Sequence, residues 1–363
     1  MSNEQQNKIK NPCIKEIIAQ ATDPIYIGTG GFTIGRVDNT IVRDPITKIP
    51  KIPGSSIAGT WRYYMALELQ SNFKDEYKQK LSDRKDKSLE ELFNNSENWM
   101  KGFDGNRYAR IKCAGQDDLP KETLEEMRNN DSGHCGHCIV CKAFGFSKKD
   151  ISNQGMLFFS DLNILFFPVY TRLGVRWITS KRILKEANLL KEEFEEKKVI
   201  FVSENEEDNS NHLNLGWLNL PYEKKNIKID LSNIDKKITI DEIVIVPDNL
   251  ISQIINSNLE VRTSVSIDPI TGAAKEKALF TSEAIPRGTI FYGEVRGFDR
   301  EFGLEDSKRT LPKIEWVFKA LDGTKKYFST FGVGGMTTRG FGRLNILPSS
   351  NLHNEECKEQ KNG

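Results

Sequence analysis

Histidine is scarce in this chain, with four in 363 residues. His134 and His137 sit inside a cysteine cluster, His212 borders an acidic stretch, and His353 lies near the C-terminus. None stands in a signature that would make it a general base. No Ser/His/Asp pattern is present, so that form of nucleophilic catalysis is excluded. No acids are spaced as a paired metal-binding set, and the Walker loop G-x-x-x-x-G-K-[ST] is absent. Long uncharged apolar runs are missing too, and M-S-N-E-Q-Q-N-K carries no apolar signal core. Neither a membrane span nor a secretory leader is expected, which places the protein in the cytoplasm. In that compartment the six cysteines are expected as thiols or metal ligands rather than disulfides. Excess charge is also lacking. The net value is +1, so total charge does not announce a nucleic-acid binder. The average conceals segregation, because Lys121–Met127 and Glu192–Asp208 are acidic while arginines gather around glycine-rich motifs.

The chain is organised around Tyr26–Leu69. A glycine-rich loop, Gly28–Gly35, delivers one acid, Asp38, between Arg36 and Arg43. Then I-P-G-S-S-I-A-G-T-W-R, Ile52–Arg62, reads as a turn feeding a helix. Ser55 or Ser56 is expected to cap it. Ile57, Trp61, Tyr64, Met65 and Leu69 recur at helical spacing and face the core. The remaining first-turn N–H groups, with Arg62 further on, predict a phosphate-binding corner.

Around this stretch the pattern changes several times. Cys13–Ala21 reads as the first strand. Ser71–Asn106 is charged and helix-leaning, an insertion on the outside. Cys135, Cys138 and Cys141 form C-x2-C-x2-C, a spacing that lets one turn present two sulfurs to zinc. The fourth ligand is Cys113, His134 or His137. Cys113 is favoured, since it closes a loop over the charged segment between. Met156–Trp177 contains short aromatic strands followed by Arg172 and Arg176 around Gly174. A charged helix is expected over Lys185–Lys198, a disordered loop over 203–211, and half-buried strands within Ile227–Val246. Val261–Glu283 reads as a projecting hairpin with a polar, small-residue tip. In Phe331–Leu344, glycines that include Gly334 and Gly335 alternate with Arg339 and Arg343, as in loops whose backbone N–H groups approach a phosphate.

V-D-N-T-I-V-R-D-P-I-T-x-x-P-x-I-P-G-S-S-I-x-G-x-x-R resembles the N-terminal signature of the RAMP superfamily, the backbone proteins of type III CRISPR effector complexes. C-x2-C-x2-C-x-x-F-G resembles a zinc-binding segment of several such proteins. Met156–Trp177 resembles the backbone subunit of the Cmr (type III-B) complex, while the hairpin and last loop fit Csm assemblies equally well. One departure is Ala58, where the family commonly has Lys.

The resemblance implies an α+β fold: a single RAMP domain over 1–363 with a modified ferredoxin-like (RRM-like) palm. It also implies a helical and zinc-binding insertion over 71–150, a thumb hairpin over 261–283 and a flexible tail over 349–363. It places Asp38 where the family cleaves target RNA, with Mg²⁺ or another divalent cation. The attacking group would be the RNA's own 2′-OH, leaving a 2′,3′-cyclic phosphate. Arg36, Arg43, Ser55, Ser56, Arg62, Arg172, Arg176, Arg262, Ile267, Gly334, Gly335 and Arg339 become candidate RNA contacts. Cys113, Cys135, Cys138 and Cys141 become the structural zinc set. Implied partners are guide RNA, target RNA, copies of the same chain in a filament and other type III subunits, with no membrane. The competing reading is a non-catalytic RNA-binding scaffold in the same kind of complex.

Overall fold

A computed structural model describes residues 12–30, 37–78, 81–94, 97–115, 133–148, 151–195, 197–202, 211–232, 234, 243–298, 311–347 and 352–353. The elements that position the site are β1 (Cys13–Ala21), α1 (Gly54–Ser71), β2 (Leu157–Phe159), β3 (Leu162–Thr171) and β4 (Gly174–Thr179). They are followed by β5 (Glu260–Ile267), β6 (Ala274–Ala284), β7 (Ile290–Gly297), α2 (Ile314–Thr324) and β8 (Leu344–Ile346). The fold is α+β.

One large sheet runs β8-β1-β7-β3-β4 and continues through Ile243–Ile245, Val199–Phe201, Leu218–Lys224 and His212–Leu215. All pairings from β8 to β4 are antiparallel. Inward positions of β1 alternate as a half-buried strand requires, with Ile17, Ala19 and Ala21 all covered. Lys15 is also buried, paired with Asp322.

Helix α1 buries Ile57, Trp61, Tyr64, Met65 and Leu69, the face that helical spacing predicts. Trp61 donates its indole N–H to the Leu321 carbonyl and the Thr324 hydroxyl, both at 3.1 Å, tying α1 to α2. Its ring also packs on Phe159 and Phe328. Each large apolar side chain so covered stabilises the fold by about 1.5–3 kcal/mol.

Two expectations about charged segments need correction. The helix expected over Lys185–Lys198 is Lys181–Glu186, capped by the Ser180 hydroxyl. It stops because Asn188 turns to φ 55°, outside helical geometry. Ser71–Asn106 is helical only in short pieces, among them Leu89–Leu92 and Asn98–Lys101, and it is not wholly external, since Phe73, Leu92, Phe93, Trp99 and Met100 are buried. At their centre Arg84 is 2% exposed. Its guanidinium donates to the carbonyls of Tyr77, Lys78, Arg107 and Ala109 and lies 3.8 Å from the Phe73 ring centroid. Burial pushes its pKa down to about 10. Arg36, residues 203–210 and most of 349–363 lie outside the described residues.

Strands β5 and β6 form a separate two-stranded sheet. No residue of β5 is buried. The tip turn is held by the Asp268 carboxylate, which accepts from the N–H groups of Ile270 (2.8 Å) and Thr271 (3.1 Å). The sequence suggested a polar tip. Instead Val265, Ile267, Ile270 and Leu279 are exposed, Ile270 at 92%. These apolar side chains are displayed on the two-stranded sheet, apart from the main one.

Candidate functional site

The site begins where Val37–Arg43 crosses the root of the hairpin. Asn39 exchanges main-chain bonds with β6: its N–H donates to Thr281 O and its carbonyl accepts from Glu283 N–H, both at 3.0 Å. This lays Asp38 against Thr281. Asp38 N–H donates to the Thr281 hydroxyl at 3.1 Å. That hydroxyl donates back to Asp38 Oδ2 at 2.9 Å, and Thr281 N–H donates to the same oxygen at 2.7 Å. The Thr281 N–H, then its hydroxyl, hold the Asp38 carboxyl below its ordinary pKa. Asp38 is exposed, so the site is an anchored, ionised carboxylate facing solvent.

Arg43 braces this crossing. It pairs with Glu283 at 2.7 Å and donates to Asn256 Oδ1 at 2.8 Å and Ile41 O at 2.9 Å. All three guanidinium nitrogens therefore hold the protein's own groups.

On the other strand, Thr263 pairs with Thr281, and its neighbour Arg262 turns toward the C-terminal loop. Arg262 donates to Gly340 O at 3.1 Å and sits 4.7 Å from the Phe341 ring centroid. It also pairs with Glu260 at 2.6 Å. That loop packs on Tyr26, whose carbonyl accepts from Gly335 N–H at 3.0 Å. Gly334 has φ +81°, and a Cβ there would collide with the same carbonyl. Gly334 and Gly335 thus have a packing reason to be glycine, while Arg339 is exposed. Asp38, Arg262 and the glycine loop, far apart in sequence, meet at the hairpin root.

A second centre is formed by Cys113, Cys135, Cys138 and Cys141, whose Sγ atoms all lie within 4.8 Å of one another. Cys135 Sγ and Cys141 Sγ are 3.9 Å apart. Zn–S bonds of about 2.3 Å in a tetrahedron give sulfur–sulfur edges of about 3.8 Å, so the donor set fits a metal of that kind. Cys135 Sγ also accepts from the N–H groups of His137 (3.4 Å) and Cys138 (3.3 Å), which suits a thiolate. Neither histidine is in the cluster: His134 is bonded to Arg62, and the His137 ring packs on Tyr108.

Residues 19–345 match the RAMP superfamily. This chain belongs to the RAMP superfamily. Among curated relatives of this RAMP chain, the CRISPR system Cms endoribonuclease Csm3 of Mycobacterium tuberculosis is 34% identical over 109 residues, 29% of this chain and 44% of that protein. Csm3 of Methanothermobacter thermautotrophicus is 44% identical over 54 residues, 15% of this chain and 22% of that protein. The matches span less than half the length of either relative. Among solved structures, a type III-B Cmr-beta chain in the apo state covers 94% of this chain and 98% of its own, with a TM-score of 0.56 at 14% identity. Cmr-beta bound to cognate target RNA gives a TM-score of 0.51 at 13% identity, covering 92% of this chain and 96% of that one. That likeness is one of fold.

Several candidate contacts of this RAMP chain lie elsewhere than expected. Ser55 is exposed and Ser56 half-buried, yet neither caps α1. The cap comes from a distant residue. Asp161 accepts from Gly54 N–H at 2.8 Å and pairs with Lys51 at 2.6 Å. Arg62 is half-buried and bonds at the cysteine centre, to Cys113 O and His134 Nδ1, both at 2.8 Å. Arg176 is buried, donating to Val175 O at 3.0 Å with its guanidinium 5.5 Å from the Phe201 ring centroid. Arg172 is exposed and donates to His212 O at 2.8 Å. Ile267 is exposed near the hairpin tip.

Thr281, Asp161 and Glu283 are the functional neighbours that sequence reasoning missed. Each acts through a contact more than 100 positions away. No local pattern distinguishes them from other hydroxyl or acidic residues.

Proposed function

We propose that this chain is the guide-RNA-binding backbone subunit of a type III CRISPR effector and cuts complementary target RNA beside Asp38. One observation carries the reading: the exposed carboxylate of Asp38 is fixed to the root of a projecting hairpin with apolar side chains. A hairpin of that kind suits wedging between bases. A displaced nucleotide puts its 2′-OH in line with the next phosphate, and such positioning supplies several kcal/mol, about 7–11 at the limit. The relatives named as Csm3 endoribonucleases support the assignment. So does the strand order β8-β1-β7-β3 with α1 and α2 as the two connections, which we read as a modified ferredoxin-like palm.

The protonation state of Asp38 favours one role over another. A carboxyl held below its ordinary pKa is a weak proton acceptor near neutrality. It is better suited to orient the 2′-OH or to hold a hard cation. Both Thr281 bonds fall on Oδ2, so Oδ1 is the oxygen suited to a divalent ion. Such an ion, Mg²⁺ for example, would supply charge stabilisation at the phosphate. The four-cysteine centre would hold structural zinc. Arg262, Arg339, Arg172, Ser55 and Ile267 remain candidate RNA contacts by their exposure or place at the hairpin root. Copies of the chain and other type III subunits are the assigned partners, within the cytoplasm.

A non-catalytic scaffold is the second reading. It is favoured by one fact: among the described residues, Asp38 belongs to no group of three potential metal ligands. The two readings separate in a cleavage assay on the complex assembled with guide RNA and Mg²⁺. Regularly spaced cuts in an end-labelled complementary target, lost in Asp38→Ala with target binding retained, support the nuclease. Tight target binding without cuts in either protein supports the scaffold.

A further inference from the structure

Arg62 lies in the middle of α1, in the signature segment, at a place where an arginine invites reading as a phosphate contact. Its surroundings point elsewhere. Nε donates to the main-chain carbonyl of Cys113 at 2.8 Å. Nη2 is 2.8 Å from His134 Nδ1. One guanidinium therefore touches both arms of the cysteine centre: the 3₁₀ turn Ile111–Ala114 that carries Cys113, and the residue directly before Cys135.

The two arms are far apart in sequence. Residues 116–132, between them, lie outside the described part of the chain. Closing a loop of about 20 residues carries an entropic penalty that grows slowly with length, so a group that holds both ends before metal arrives favours binding. The second arm has its own support: Asn106 Oδ1 accepts from Ile139 N–H at 2.9 Å. Across the gap to Cys113, Arg62 bonds to both sides. Its planar fork reaches two acceptors at a fixed angle, which an ammonium on a flexible stem does not reproduce.

We propose that Arg62 is a positioning residue for the metal centre: it fastens Cys113 to the Cys135–Cys141 turn and so ties metal occupancy to helix α1. The proposal rests on the reading of the four cysteines as a metal site. It assigns the signature arginine to metal affinity rather than to RNA. Partners that orient metal ligands commonly change metal affinity about 10–100-fold when removed.

The test uses the full chain, stripped of metal and titrated with Co²⁺ against a competing chelator. Thiolate-to-cobalt charge-transfer absorption reports occupancy of the cysteine site itself. Wild type, Arg62→Ala and Arg62→Lys are compared. The lysine variant retains the charge and guards against a fold lost to an unpaired cavity. Weaker Co²⁺ binding in Arg62→Lys, by about 10-fold or more, with guide-RNA affinity and its salt dependence as in wild type, is the expected result. Unchanged Co²⁺ affinity in Arg62→Lys overturns the proposal. A wild-type chain that gives no thiolate–cobalt absorption overturns the metal reading itself, and the proposal with it.

Discussion

Thr281 N–H and the Asp38 carboxylate lie 2.7 Å apart although 243 positions separate them. The Thr281 hydroxyl reaches the same oxygen. The acid is thus held by the strand that leads out of the hairpin, so any displacement of the hairpin is felt at the carboxylate. Thr281→Val keeps the N–H and the shape but deletes the hydroxyl. A hydroxyl donating to a carboxylate favours the charged, anchored form. A reduction in cleavage rate of about 10-fold is expected, with target affinity unchanged. Single-turnover cleavage and filter binding of the same complexes measure the two effects.

Asp38 also sets a pH dependence. Its carboxyl is held below the ordinary value of about 3.9, so it is ionised throughout the neutral range. The Thr281 bonds favour the charged form. Their contribution to stability is full above the unfolded pKa and is lost as pH falls through the lower, folded one. Between about pH 5 and 8, the cleavage rate should therefore show no limb due to Asp38. A wild-type single-turnover profile with an acid limb near pH 6 that moves in the still-active Thr281→Val variant would contradict this assignment.

The cap on α1 comes from outside the helix. Asp161 accepts from Gly54 N–H, satisfying one of the free donors of the first turn and placing a negative charge at the positive end of the helix. Asp161→Ala removes the cap and leaves Lys51 with only its longer contact to Asp44 at 3.4 Å. A loss of about 1 kcal/mol, within the range for helix caps, is expected in urea unfolding. Ser55→Ala should leave stability unchanged, since that hydroxyl does not cap.

Gly334 can be tested in the same way. Its φ of +81° and the Tyr26 carbonyl in the path of a Cβ make Gly334→Ala destabilising by more than about 1 kcal/mol. The C-terminal loop would have to move, loosening Gly340 from Arg262. Faster proteolysis at the loop, with the sheet intact by circular dichroism, is the expected outcome. Gly59→Ala, at an α1 position with nothing near its Cβ, should be neutral or stabilising, because alanine is the better helix former.

Local features of this protein were legible in the sequence. The apolar face of α1, the alternation in Cys13–Ala21 and the C-x2-C-x2-C turn all follow from helix period, strand period and turn geometry. These act between residues a few positions apart. The hairpin was legible in position, though not in the apolar side chains it displays. Where one residue type suits two environments, the sequence alone does not choose between them. Arginine serves a phosphate, a carbonyl or an aromatic ring with the same fork. Arg43, Arg62 and Arg176 therefore looked like RNA contacts and are bonded into the protein.

By itself, then, the sequence determined the strands, the principal helix, the cysteine spacing and the presence of one acid in a glycine-rich approach. The tertiary structure alone decided which groups met: Asp38 with Thr281, Gly54 with Asp161, and Arg62 with Cys113 and His134. The reason is physical. Secondary structure is chosen by short-range sterics and periodicity, whereas the partner of a donor or acid is chosen by sheet order and packing, which bring together residues that no local pattern relates.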